Sequence, residues 1–179
     1  MRPNPNFLFW AERCELEGQG KRAADIGCGL GDNAEELARR GFEVVAFDVS
    51  KTAIDWCRRR FPQSRVEYEV ADLLALPLAW QRAMAFVLET YTIQVLQGDA
   101  RKRAIDCIAG LVARGGTLLV IARGRNDDEP EGQMPWPLLR SELDGFKNAG
   151  LEEISFEDFL DDESPPVRRF RAEYRRPRL

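Results

Sequence analysis

Three glycines alternating with other residues between two apolar runs constrain this chain's fold more than any other feature. Ala24-Asp25-Ile26 leads into Gly27-Cys28-Gly29-Leu30-Gly31, and Val44-Val45-Ala46-Phe47 ends in Asp48. An apolar strand, a glycine turn, a helix and a second apolar strand closed by a carboxylate form half of a nucleotide-binding β-α-β unit. The glycine spacing is G-x-G-x-G. The dinucleotide fingerprint G-x-G-x-x-G needs glycine at 32, where the chain has Asp32. A pyrophosphate wants bare N–H groups at a helix N-terminus with no competing anion. Asp32 therefore speaks for a ligand without a diphosphate.

The patterning continues along the chain. Lys21–Ile26 reads as the first strand. Asp32 reads as the N-cap of a helix running to about Arg40, with Gly41 after it. Glu43–Phe47 is a second strand, Ser50 caps a helix over Lys51–Arg60, and Arg65–Val70 is a third strand. Met84–Leu88 is a fourth. Asp99 caps a helix to about Ala113, and Arg114-Gly115-Gly116 turns the chain into a fifth strand, Thr117–Ala122. Ser141-Glu142-Leu143-Asp144 has the form of a capping box opening a helix that ends at Asn148–Gly150. Leu151–Phe159 and Val167–Tyr174 are two final strands joined by an acidic turn. Strands alternating with helices predict an α/β fold. Its form is three-layered and Rossmann-like, a mostly parallel seven-stranded sheet with an antiparallel C-terminal strand hairpin. One domain over 1–179 is expected. Residues 1–20 would form an N-terminal helix that acts as a lid over the ligand or covers the sheet with Phe7, Phe9 and Trp10.

Composition excludes several chemistries. The chain has no histidine, which removes the commonest general base and transition-metal ligand. Cys14, Cys28, Cys57 and Cys107 lack C-x-x-C spacing, so no metal site and no disulfide framework is indicated. No stretch of 18 apolar residues occurs, and Met1-Arg2-Pro3-Asn4-Pro5-Asn6 lacks a leader's apolar run. A cytoplasmic protein without a membrane partner is expected. The net charge of −4 speaks against a polyanion. The basic ending, Arg168 to Arg178, faces Glu152, Glu153, Glu157 and Asp158 across the hairpin. Opposite charges across strands explain those arginines without nucleic acid.

The run Asp25-x-Gly27-x-Gly29-x-Gly31, then Asp48, then Asp72, resembles the class I S-adenosylmethionine (SAM)-dependent methyltransferases over nearly the whole chain. Within that superfamily it is similar to the small tellurite-resistance and thiopurine or thiol methyltransferase-like proteins. The opening Pro3-Asn4-Pro5, the loop Pro135-Trp136-Pro137 and the ending Val167–Tyr174 carry that finer likeness. The resemblance implies SAM as cofactor. Gly27, Cys28, Gly29 and Gly31 would approach its amino-acid portion, with Asp25 near the ammonium group. Asp48 and Val49 would hold the ribose, and Asp72 and Leu73 the adenine. A turn-forming or capping role is the alternative for Asp25, Asp48 and Asp72, and a packing role for Cys28.

Glu89-Thr90-Tyr91-Thr92-Ile93-Gln94 follows the fourth strand, where this family meets its methyl acceptor. No D/N-P-P-Y motif and no Pro-Cys dipeptide is present, so the common nucleic-acid methylations lose support. Glu89 and Tyr91 are the candidate catalytic residues, Glu89 also contacting cofactor. Arg123 and Trp136 are candidates for acceptor binding, Arg123 suiting an anion and Trp136 a flat or soft group. Methyl transfer from a sulfonium is an in-line displacement whose main demand is alignment. The expected activity is methylation of a small molecule, with a thiol or other soft nucleophile as acceptor, by a monomer or homodimer. The alternatives are a non-catalytic SAM-binding protein and a nucleotide-dependent oxidoreductase.

Overall fold

The computed structural model describes residues 2–178. In chain order its elements are α1 (Pro5–Arg13), β1 (Arg22–Ile26), α2 (Asp32–Arg39), β2 (Glu43–Asp48), α3 (Lys51–Arg60) and β3 (Glu67–Val70). Then come β4 (Met84–Thr90), α4 (Gly98–Leu111), β5 (Val112–Arg123), α5 (Asp144–Asn148), β6 (Glu152–Leu160) and β7 (Arg168–Arg175). Short 3-10 turns fill several connections, including Leu73–Ala75 and Ile93–Val95.

The seven strands form one sheet in the order β3-β2-β1-β4-β5-β7-β6. The first five pair in parallel. β7 runs antiparallel to both β5 and β6. Strand order reverses between β1 and β4, so the crevice beyond their carboxyl ends is where this topology places a ligand. Helices cover both faces. Ile105 and Ile108 of α4 and Phe146 of α5 pack on one, with Val87, Leu118 and Val120. Phe7 and Trp10 of α1, Leu37 of α2 and Ile54 of α3 pack on the other, with Phe86, Leu88 and Ile121. Burying a side chain of this size contributes about 1.5–3 kcal/mol, so these contacts hold the helices to the sheet.

Four local expectations are corrected. The N-cap of α2 is Gly31 at φ +85°, not Asp32. Asp32 is the first helical residue, and its carboxylate accepts both Arg60 Nη groups at 2.9 Å. Arg60 thus neutralises the anion that the spacing sets against a diphosphate. Gln97, not Asp99, precedes α4; Asp99 sits in its first turn, where a carboxylate complements the helix dipole. Arg114-Gly115-Gly116 is no turn into β5. It is an irregularity inside that strand, where the register to β4 shifts between Met84 and Phe86 and Gly115 has φ +73°. Finally, Ser141 opens no helix. Glu142 reaches back to accept the Leu139 N–H at 2.8 Å, so the helical segment starts at Arg140 in a 3-10 turn that runs into α5.

α1 lies on the sheet, with Trp10 stacked on Phe86 at 5.7 Å between centroids. Its N-cap Asn4 accepts from the Asn6 and Phe7 N–H groups at 2.9 and 3.3 Å. The Asn4 N–H donates to Asn33 Oδ1 at 2.8 Å, which ties α1 to the first turn of α2.

Two arginines of the last strand pair with acids that the cross-strand charge pattern names, Glu157 and Asp158, and a third pairs with Asp161 of the turn, while Glu153 goes to Arg140 instead. Arg171 meets Glu157 directly opposite, Arg168 meets Asp158 and Arg169 meets Asp161, each at 2.6 Å. Arg176 is buried and donates to the Ala109 and Val112 carbonyls at 2.7 and 3.0 Å. No helix among the described residues is long and apolar enough to cross a membrane.

Candidate active site

The glycine turn follows β1 because its backbone takes conformations that side chains resist. Gly27 has φ +59°, and a Cβ there would stand 2.4 Å from Thr92 Oγ1. Thr92 is fixed where it is, since its hydroxyl donates to the Ile26 carbonyl at 3.0 Å. Gly31 is equally restricted by the Tyr68 hydroxyl, 2.6 Å from where its Cβ would stand. Gly29, at φ +54°, faces open space. Its N–H donates to Asp48 Oδ2 at 3.1 Å, while Asp48 Oδ1 accepts from Ser50 N–H at 2.8 Å. The end of β2 is thereby pinned to the turn after β1.

Beyond these strand ends lies a cleft of about 430 Å³. Gly27, Asp48 and Val49 line it, with Asp72 and Leu73 at the end of β3 and Tyr91 after β4. Phe47 and Leu73 supply buried apolar wall. Asp72 is exposed and accepts the Leu74 N–H at 2.9 Å, so it also caps the turn it belongs to.

Asp25 and Glu89 stand behind the cleft. Asp25 is 1% exposed and neither carboxylate oxygen has a partner. Burial pushes its carboxyl up to about 8, with the charges of Asp48 and Glu89 adding to the effect. Glu89 is fully buried, and its Oε1 accepts from the Thr92 and Ile93 N–H groups at 2.6 and 3.0 Å. Its Oε2 has no partner, and burial pushes the group up to about 7 despite those bonds. Cys28 is half-buried beside Cys57, and burial pushes its thiol well above the ordinary range. That favours a protonated packing residue over a reactive thiolate.

Tyr91 has φ +66°, a left-handed conformation that costs a residue of this kind about 1–3 kcal/mol. Its N–H donates to the Ile121 carbonyl at 3.0 Å, and its ring lies 4.9 Å from the Arg169 guanidinium. Arg123 and Trp136 do not line the cleft. Gln94 holds both at the β5 side of it: its Oε1 accepts the Arg123 N–H at 2.7 Å and its Nε2 donates to the Trp136 carbonyl at 2.7 Å. The Arg123 guanidinium has no hydrogen-bond or ion-pair partner among the described residues.

Sequence reasoning misses Thr92, Gln94, Asn33 and Arg169. Thr92 and Gln94 sit in the segment it singles out, but nothing local marks a hydroxyl that locks a glycine or an amide that ties two distant loops. Asn33 joins Asn4 to Thr90, whose Oγ1 accepts its Nδ2 at 3.2 Å, across three separate elements.

The residues fit SAM. Neither oxygen of buried Asp25 has a partner at hydrogen-bond geometry, and a cation placed there would offset the cost of that burial. Each Asp48 oxygen spends one acceptor site and keeps another for a ribose hydroxyl. Gly29 leaves open space beside Asp48, to which its N–H donates. Among the described residues no group of three acidic or cysteine side chains is placed to hold a metal.

Comparison with known proteins agrees. Residues 23–116, more than half of the chain, match the family described as "Methyltransferase domain". The chain is 31% identical over 123 residues to a ubiquinone biosynthesis O-methyltransferase from Alkalilimnicola ehrlichii, covering 69% of this chain and 50% of that protein. It thus spans about half the length of the curated relatives it matches. Its fold superposes on a SAM-dependent methyltransferase from Methanosarcina mazei with a TM-score of 0.79, at 15% identity over 99% of both chains. It superposes on TehB from Haemophilus influenzae with a TM-score of 0.77, at 16% identity over 97% of this chain and 62% of that one. The chain belongs to the methyltransferase domain family, as a class I protein whose cofactor is SAM.

Proposed function

We propose that this chain methylates a small molecule that reaches the site already anionic. The observation that carries the reading is the pairing of the cleft with Arg123, whose backbone Gln94 holds at the β5 side of it and whose guanidinium has no partner among the described residues. SAM supplies an electrophilic methyl on a sulfonium when bound. The chain's own residues hold and align. Asp48 accepts the ribose hydroxyls, Asp25 meets the ammonium group, and Leu73 with Asp72 takes the adenine. Glu89 spends one oxygen on two backbone N–H groups, so it shapes the turn that carries Tyr91 rather than serving as a free base. Tyr91 faces the cleft and is the side chain we place against the reacting centre. An acceptor that is already a thiolate or phenolate needs no base. Arg123 would hold its charge and Trp136 its flat or soft part. The named relatives are O-methyltransferases, which supports oxygen as firmly as the chain's softer likenesses support sulfur. We take the protein to be one cytoplasmic domain, acting as a monomer or homodimer.

The test is calorimetric titration with SAM and S-adenosylhomocysteine (SAH), with NADH as control, followed by a methylation screen of thiols against phenols. Micromolar binding of both adenosyl ligands, none of NADH, and turnover of anionic acceptors is expected. Adenosyl binding with no turnover across the panel would favour a binding protein. Preferential NADH binding would restore the oxidoreductase. Arg123→Ala should raise KM for the acceptor about tenfold or more with SAH affinity unchanged.

A further inference from the structure

Arg169 lies on β7, far along the chain from the glycine turn, yet its guanidinium stacks on Tyr91 at 4.9 Å. It is only 2% exposed. Two carboxylates hold it: Nε donates to Asp161 and Nη2 to Glu163, each at 2.6 Å. Both acids belong to the turn between β6 and β7. Asp161 also closes that turn by accepting the Glu163 and Val167 N–H groups at 3.1 and 2.9 Å. The β5–β7 register sets Arg169 directly opposite Arg123. Like charges opposed on a sheet repel, so this placement needs the two carboxylates.

A hairpin does not require such an arrangement. Arg168 and Asp158 join the same two strands nearer the solvent, and a buried ion pair adds little stability beyond that. The neighbouring guanidiniums stack on phenylalanines outside the cleft: Arg168 on Phe170, and Arg171 on Phe9 and Phe159. Arg169 alone among these three stacks on a residue that lines it, and that residue has a left-handed backbone.

We infer that Arg169 is a positioning residue that fixes the Tyr91 ring in the cleft, which makes the acidic β6–β7 turn part of the active site. The inference rests on reading the cleft as the SAM site. It assigns the turn a functional role: Asp161 and Glu163 set where Arg169 sits, and Arg169 sets where Tyr91 sits.

The chain has three tyrosines, so 3-fluorotyrosine labelling gives three ¹⁹F resonances, and Tyr91→Phe identifies the relevant one. In Arg169→Gln the Tyr91 resonance should move while those of Tyr68 and Tyr174 stay. SAH affinity should fall about fivefold, because a released Tyr91 ring must be ordered each time the ligand binds. Arg169→Lys keeps a charge over the ring and should fall between. If Arg169→Gln does not fold, Glu163→Gln decides by the same readouts, since that side chain is 58% exposed. It should shift Tyr91 alone, by less. A Tyr91 resonance that stays put in the folded variant, or moves with no loss of SAH affinity, overturns the inference. Failure of the unaltered protein to bind SAH would instead defeat the cofactor reading, because the resonance reports on Arg169 and Tyr91 with no ligand present.

Discussion

Asp48 closes β2 and Asp25 stands one residue before the end of β1, and the two carboxylates act on the chain in opposite directions. Asp48 has partners. Replacing it with alanine removes two backbone hydrogen bonds, each worth about 1 kcal/mol. The protein should stay folded while SAH affinity drops at least about tenfold in calorimetry; unchanged affinity would sink the ribose assignment. Asp25 has none, and burial holds its carboxyl up at about 8. Between about pH 4 and pH 8 the unfolded chain has this group ionised while the folded chain keeps it protonated. The unfolded state then binds fewer protons, so this group's contribution to stability falls as pH rises through that window. Asp25→Asn should flatten the fall in Tm between about pH 5.5 and 8.5. It should also weaken SAH binding, because the ammonium loses its carboxylate. An equally steep Tm profile in the variant would rule out Asp25 as its source. The acidic positions were legible in the sequence because a carboxylate near a strand's end is a local pattern. That one is satisfied and the other orphaned was not, since partners come from other strands.

The glycine turn is the element with the least tolerance. Gly27→Ala meets the Thr92 hydroxyl and a left-handed backbone together. It should cost about 1–3 kcal/mol in urea unfolding and abolish SAH binding. Gly29→Ala has open space and should cost about 1 kcal/mol, yet still weaken binding, because its strained backbone carries the N–H that holds Asp48. Equal loss of stability at both positions would show that strain, not the Thr92 contact, is decisive. The turn, β1, β2, α3 and β4 were readable from apolar runs, glycines and Ser50, all local signals. The shift of the α2 cap to Gly31 was not. Gly31 at φ +85° can stand where a side-chain cap usually does, while Asp32 is drawn to Arg60 on α3. The irregularity at Gly115 was misread as a turn for a similar reason. Its role depends on the β4 register, which no short window contains.

Across the whole molecule, charge is organised around the C-terminal hairpin. Glu157 accepts from both Arg13 of α1 and Arg171 of β7, and these arginines hold its carboxyl down at about 2. A depressed carboxyl contributes stability above its unfolded value near 4.5, lost as pH falls toward 2. Glu157→Gln should therefore lower Tm at neutral pH, with the gap to the unaltered protein closing over that acid range in thermal melts. A constant gap would mean packing, not charge, explains the loss. By itself the sequence determined the alternation of strands and helices, the antiparallel ending, the glycine turn and the carboxylates that follow it. Hydrophobic period, turn residues and caps act over a few positions, and these features need nothing more. Only the tertiary structure decided which groups meet. It set Arg169 over Tyr91, joined Arg123 and Trp136 through Gln94, and left Asp25 without a partner. The strand order β1-β4-β5-β7 is what brings residues 25, 91, 123 and 169 to one end of the sheet, where these meetings take place. Strand order is a balance of burial over the whole sheet, and no local stretch of chain encodes it.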